Sequence, residues 1–149
     1  MSIEIRSPQT DAEWNDYYDL RYRILRKPLN QPLGSERNDG DSSGVHFGLY
    51  DEGVLKAIAR LDQAEPQIAQ VRFVAVEQAS QGKGYGRQIM QATEQTAQKR
   101  GDREMILHAR DYAVDFYLRQ EYRVVEKSYL LFDVLPVSYT HLTLPTSSW

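Results

Sequence analysis

Apolar positions along this chain change period several times, and each change marks an element. Ile3-Glu4-Ile5 alternates, which predicts a short first strand. Thr10-Asp11-Ala12-Glu13 then places a hydroxyl three residues before a carboxylate, the pattern of a capping box. Trp14, Tyr17, Tyr18, Arg21, Ile24 and Leu25 follow at helical spacing, so a helix is expected over residues 11–26, ending before Pro28. Residues 28–44 lose the periodicity: Pro28, Pro32, Gly34, Gly40 and Gly44 sit among Asn, Asp and Ser. They read as a long loop with room for one helical turn, either a plain surface connection or a functional segment.

Three strands follow, over residues 45–50, 54–61 and 68–76, separated by Asp51-Glu52-Gly53 and by a polar break with Pro66. Such short turns predict an antiparallel meander. The third strand ends in Phe73-Val74-Ala75-Val76, apolar on both alternations, and is expected to be central and buried on both faces. A helix over 87–100 has Ile89, Met90, Thr93 and Ala97 inward, with Gly101 as its stop. A strand over 104–109, a helix over 111–120, a strand over 122–125 and an extended apolar run over 129–135 complete the pattern.

Composition narrows the function. With 149 residues, 41% hydrophobic and 26% charged, the chain fits one ordinary globular domain. No apolar run approaches the roughly 20 residues of a membrane helix, and Met1-Ser2-Ile3-Glu4 does not open a signal segment. A formal charge of −3 argues against a nucleic-acid partner. The absence of cysteine removes disulfides, thiolate metal sites and a cysteine nucleophile, and fits a reducing, cytoplasmic setting. His46, His108 and His141 lie far apart without ligand spacing, so no metal site is expected.

The informative segment lies between the third strand and the next helix: Gln81-Gly82-Lys83-Gly84-Tyr85-Gly86. Glycine tolerates positive φ and lets backbone approach a ligand. Successive N–H groups at a helix N-terminus cradle a diphosphate, and Lys83 and Arg87 add positive charge. A Walker loop requires Ser or Thr after Gly-Lys, but Gly84 follows Lys83. A Rossmann fingerprint requires G-x-G-x-x-G after the first strand of a parallel unit. Here the glycines fall at 82, 84 and 86, after an antiparallel meander.

Gln81, Gly84 and Gly86 do match Gln/Arg-x-x-Gly-x-Gly/Ala, and Ala113-Val114-Asp115-Phe116-Tyr117 matches Ala-x-x-Phe-Tyr. In these motifs, and in the order of elements over residues 3–135, the chain resembles the GCN5-related N-acetyltransferases (GNAT), most closely their small bacterial members. The resemblance implies an α+β, three-layer fold with a mixed, mostly antiparallel central sheet flanked by helices. It implies an acetyl-CoA-dependent N-acetyltransferase acting on a primary amine of a small molecule or peptide. Carried over, Phe73, Val74, Ala75 and Val76 lie along the pantetheine arm, and residues 81–87 (Gln81, Gly82, Lys83, Gly84, Tyr85, Gly86 and Arg87) surround the pyrophosphate. Residues 104–109 form the opposite wall of a gap where two parallel strands splay apart. Superfamily members often form homodimers. A catalytically silent acyl-CoA-binding regulatory module is the alternative to an enzyme, and a structural protein with a vestigial loop is the third reading.

The implied chemistry is attack of a neutral amine on the thioester, with a base or a water path removing its proton and a donor protonating the departing thiolate. Tyr117 matches the superfamily's tyrosine acid; otherwise it is a core tyrosine with a locally satisfied hydroxyl. Glu77, at the end of the central strand, is either the base or an exposed strand-end residue. His46 lines the acceptor side or is structural. Glu36, Asp39 and Asp41 either favour a cationic acceptor or form a solvated acidic loop. Two positions depart from the family pattern: Arg110 stands where Asn is common, and Glu121-Tyr122 replaces Gly-Phe, which suggests a different turn into the next strand.

The segment Val137-Ser138-Tyr139-Thr140-His141-Leu142-Thr143-Leu144-Pro145-Thr146 resembles the translation of a transposase sequencing adaptor. The expected organisation is therefore an N-acetyltransferase domain over 1–136 and a non-native tail over 137–149. Its alternating Val137, Tyr139, Leu142 and Leu144 also suit a strand, which would fill the place of the superfamily's last one.

Overall fold

In a computed structural model, residues 2–132 and 135–145 are described. In chain order the elements are β1 (Ile3–Arg6), α1 (Asp11–Leu25), β2 (Val45–Asp51), β3 (Val54–Glu65), β4 (Ile68–Val76), α2 (Tyr85–Lys99), β5 (Glu104–Arg110), α3 (Val114–Leu118), β6 (Arg123–Phe132) and β7 (Leu135–Pro145). The strands hydrogen-bond in the order β1-β2-β3-β4-β5-β7-β6. β1–β2, β2–β3, β5–β7 and β6–β7 are antiparallel, whereas β4–β5 is parallel. This is the mixed, mostly antiparallel sheet that the spacing of turns and the family resemblance predict.

Several local expectations change. The segment after α1 holds two 3₁₀ turns, Lys27–Leu29 and Asp39–Ser42. The helix expected over 111–120 is a 3₁₀ turn followed by the five-residue α3. The strand expected over 122–125 and the first part of the run expected over 129–135 are one strand, β6, with an irregularity between Val124 and Glu126 that a period count reads as a break; residues 133 and 134 of that run lie outside the described residues, and Leu135 opens β7. β4 is the fourth of seven strands, as expected, but only one face is closed: Ala69, Val71 and Ala75 are buried, and Arg72 is exposed.

The chain divides into two compact units: Met1–Asp62 with Val71–Thr96, and Gln63–Gln70 with Ala97–Trp149. In the first, Tyr17 and Leu20 of α1 bury themselves with Ile58 and Ala75, and Trp14, Tyr18, Ile24, Leu25 and Leu55 pack around them. α1 starts where its cap predicts, with the Thr10 hydroxyl accepting from the Glu13 N–H at 3.1 Å. Glu13 accepts in turn from the Gln9 N–H and, in a bidentate pair, from Arg6 of β1. α2 buries Ile89, Met90, Thr93 and Ala97, the four positions that its spacing turns inward. Full burial of the Ile89 and Met90 side chains contributes about 1.5–3 kcal/mol each.

In the second unit Met105, Leu107 and Ala109 of β5 and Leu142 and Leu144 of β7 are buried. β7 pairs with β5 from Glu104↔Pro145 to Arg110↔Tyr139, and with β6 from Arg123↔Thr143 to Phe132↔Leu135. The parallel β4–β5 ladder covers Ile68↔Glu104, Ala69↔Met105 and Gln70↔Ile106. Among the described residues no helix is long and apolar enough to cross a membrane.

Candidate active site

The glycine loop follows β4 through a 3₁₀ turn, Gln78–Ser80, and leads directly into α2. Gly82 and Gly84 take φ of 83° and 85°, where an L side chain is strained. A side chain at Gly82 would meet nothing within 4 Å, so the loop's outer surface is open. From Gly82 to Arg87 no backbone N–H finds an acceptor among the described residues; the first helical bond is Gln88 N–H to the Gly84 carbonyl at 3.1 Å. An ordinary helix leaves four N–H groups free, and this loop extends the free run by the residues before the helix. Lys83 and Arg87 are exposed beside it. The arrangement fits a diphosphate: fixed donors, a helix N-terminus and two cations in one place.

Two loop side chains tie it to the neighbouring strands. Gln81 donates its Nε2 to the Val76 carbonyl at 3.3 Å, tying the loop to the end of β4. Tyr85 is buried and donates its hydroxyl to Asp51 Oδ2 at the end of β2. Of the loop positions singled out from sequence, Gln81, Gly82, Lys83, Gly84 and Arg87 are exposed, Tyr85 is buried, and Gly86 lies in the first turn of α2.

Upstream, β4 carries an irregularity that the sequence does not announce. Phe73 has φ of 55°, the left-handed region, within a strand. Such strain costs about 1–3 kcal/mol and persists only where surroundings impose it. Here the Phe73 ring lies under the guanidinium groups of Arg21 at 4.2 Å, Arg60 at 4.9 Å and Arg26 at 5.3 Å. Val74 and Val76 are partly exposed and Ala75 is buried, so the four residues 73–76 divide between core and surface.

Glu77 begins the turn after β4. Its two carboxylate oxygens accept from Arg23 Nη1 at 2.9 Å and Nη2 at 3.0 Å, and its N–H donates to the Lys56 carbonyl. The Arg23 guanidinium lowers the Glu77 pKa against a smaller opposing desolvation. His46 is enclosed: Asp41's carbonyl oxygen lies 2.8 Å from Nε2, so Nε2 carries the proton and Nδ1 accepts from the Tyr17 hydroxyl at 2.8 Å. Burial lowers its pKa, partly opposed by the bond to Asp41. With both nitrogens engaged, His46 is built as a structural group.

Tyr117 belongs to the second unit, on α3. It is 7% exposed and packs edge-on to Phe116 and Tyr122, with centroids 5.0 Å and 5.7 Å away. Its hydroxyl has no hydrogen-bond partner among the described residues. Burial first, and Tyr112 second, raise its pKa well above that of a free phenol, so at neutral pH it holds its proton. No group of three or more His, Asp or Glu able to hold a metal occurs among the described residues.

Residues 6–122 match the acetyltransferase (GNAT) family. The chain belongs to this family. Its members use acetyl-CoA as acyl donor, so this is an N-acetyltransferase. The chain is also similar to the uncharacterized N-acetyltransferase YjcF of Bacillus subtilis, 27% identical over 123 residues that cover 82% of this chain and 87% of that one. Its fold is that of a putative N-acetyltransferase from Lactobacillus plantarum (TM-score 0.79, 24% identity, 97% of this chain and 99% of that one). A Bacillus subtilis acetyltransferase solved in complex with CoA is similar too (TM-score 0.71, 15% identity, 96% and 97% covered).

Within the GNAT pattern, the departure at Glu121 has a definite geometry. Glu121 takes φ of 73°, so the left-handed turn is present without a glycine. The guanidinium of Arg110 lies 5.6 Å from the Tyr112 ring centroid. Sequence reading missed the arginines around Phe73 and the Arg23–Glu77 pair. A signal existed: Arg21 occupies an inward position of α1, and Arg60 sits in the apolar run of β3, where a lone charge must be paired. Two of the three loop acids resolve differently from either expectation, and the third, Asp39, is exposed, as in a solvated loop. Glu36 is buried and accepts from the Gly34 N–H, and Asp41 accepts from Arg21 and Arg60.

Proposed function

We propose that this chain moves an acetyl group from acetyl-CoA to a primary amine of a small molecule or peptide, holding the CoA diphosphate on residues 81–87. The observation that carries this reading is the run of backbone N–H groups from Gly82 to Arg87, without an acceptor among the described residues, at the N-terminus of α2. Lys83 and Arg87 neutralise the phosphates, and backbone at residues 73–76 pairs with the pantetheine arm. When bound, acetyl-CoA supplies a thioester whose carbonyl carbon is open to attack. As the amine nitrogen bonds to that carbon and the C–S bond breaks, Tyr117 delivers its proton to the departing sulfur. Its protonated hydroxyl, without a hydrogen-bond partner among the described residues, supports that role. The proton lost by the amine goes to Glu77 or to a water path. The Arg23 clamp favours water, because a carboxylate held in its charged form takes up a proton less readily.

The same clamp favours a second reading, a catalytically silent module that binds acyl-CoA. Thiol release from acetyl-CoA, measured against a panel of primary amines, separates the two. Turnover with any amine supports the enzyme; tight acetyl-CoA binding with silence across the panel supports the module. We also propose a cytoplasmic setting, a homodimer and a non-native origin for residues 137–149. Independent amplification of the gene tests the last, and finding the same codons there would overturn it.

A further inference from the structure

The ring of Phe73, at the left-handed turn of β4, lies against a buried charge arrangement. Arg21 on α1 and Arg60 on β3 are both 0% exposed, and each donates an Nη1 to the same oxygen, Asp41 Oδ1, at 2.8 Å. Asp41 Oδ2 accepts from the Asn38 N–H at 3.0 Å, which fixes the carboxylate in the 3₁₀ turn Asp39–Ser42. Arg60 is completed by Asp62 and by Asn38 Oδ1 at 2.6 Å. Arg21 also donates to the Glu36 carbonyl at 3.1 Å and the Tyr17 hydroxyl at 3.1 Å, while its buried Nε has no partner among the described residues. Two buried guanidinium groups are therefore drawn to one oxygen, and both close over the Phe73 ring. Without the Asp41 charge they repel, since like charges interact strongly where water is excluded.

We propose that Asp41 is a positioning residue: by holding Arg21 and Arg60 over the Phe73 ring it keeps β4 in the left-handed turn that presents the 73–76 backbone to the acyl arm. A left-handed residue within a strand takes the adjoining backbone groups out of the ladder, which leaves them free for a ligand. The inference rests on the acetyl-CoA reading above, and it assigns to an acid of the loop a role in acyl-arm geometry and not in acceptor charge.

The test is a double-mutant cycle read by calorimetry with two ligands. Acetyl-CoA reports the loop and the arm together; adenosine 3′-phosphate 5′-diphosphate, the CoA head without its arm, reports the loop alone. Asp41→Asn is expected to weaken acetyl-CoA about tenfold and leave the head unchanged. In a Phe73→Gly background, where positive φ carries no penalty, the same substitution is expected to cost less than threefold. An equal loss in both backgrounds, or an equal loss for both ligands, overturns the proposal. If Asp41→Asn does not fold, Phe73→Gly and Phe73→Ala decide, since they differ only in the Cβ that opposes φ of 55°. Gly is expected to bind acetyl-CoA at least fivefold more tightly than Ala, and equal affinities overturn the proposal. A wild-type chain that binds the head but not acetyl-CoA overturns the functional reading itself, whatever the variants do.

Discussion

At the scale of single residues, Tyr117 and His46 show how burial assigns opposite roles to two ionisable side chains. Burial raises the Tyr117 pKa, so the hydroxyl keeps its proton at neutral pH, and it has no hydrogen-bond partner among the described residues. Tyr117→Phe removes that proton with little change in shape. Turnover is expected to fall by about 10²–10⁴-fold, with the acetyl-CoA affinity unchanged by calorimetry; unchanged turnover would remove Tyr117 from the mechanism. Burial lowers the His46 pKa below its ordinary 6.5. The unfolded chain therefore takes up the proton first, and the stability from neutral His46 is complete above about pH 6.5 and is lost as pH falls from there. The slope is limited to about 1.4 kcal/mol per pH unit, that of one proton. Denaturant melts across this window are expected to show it in the wild type and to lack it in His46→Gln. A slope that persists in the variant assigns the proton elsewhere. Glu77 stands between these two: its position at the strand end was readable, but its partner Arg23 lies 54 residues away and no local pattern links them.

At the scale of elements, most of what positions the loop was legible in the chain. The Thr10–Glu13 cap starts α1, the turns at 51–53 and 66–67 separate β2, β3 and β4, and the inward spacing of α2 is met at every position named. Boundaries failed where geometry depends on distant contacts. The irregularity in β6 interrupts its alternation, and a left-handed Phe73 is set by arginines from α1 and β3, not by its neighbours. β7 makes the complementary point. Residues resembling an adaptor translation pair along β5 and β6 because alternation, with Leu142 and Leu144 buried, is what a strand between two others needs. Deleting residues 137–149 removes the β5 ladder and all but the last two pairs of the β6 ladder, and is expected to lower the melting temperature steeply or leave the protein insoluble. Unchanged melting would show that this strand contributes nothing. The loop–α2 junction carries a prediction of its own. A hydrogen bond to a charged group contributes about 1.5–3 kcal/mol, so Lys83→Ala with Arg87→Ala is expected to weaken acetyl-CoA at least tenfold at low salt. Added salt, which screens exposed charges, should narrow that difference; equal affinities at low salt would dissociate the loop's cations from binding.

At the scale of the whole molecule, family membership and the free N–H run point the same way. Composition excluded classes of function, and the spacing of three glycines chose among the phosphate loops. The acceptor was not legible, because the side chains of the 28–44 loop whose charge suggested a cationic partner are in part directed inward: Asp41 serves two arginines and Glu36 caps its own turn. What remains common to every part of the account is binding of acetyl-CoA. A ligand at 100 times its dissociation constant stabilises the folded state by about 2.7 kcal/mol, which for a chain of this size raises the melting temperature by roughly 5–10 °C. Calorimetric titration of the full chain with acetyl-CoA, paired with this thermal shift, is the most direct test. The account predicts saturable heat at one site per chain and a shift in that range; no heat and no shift would contradict it.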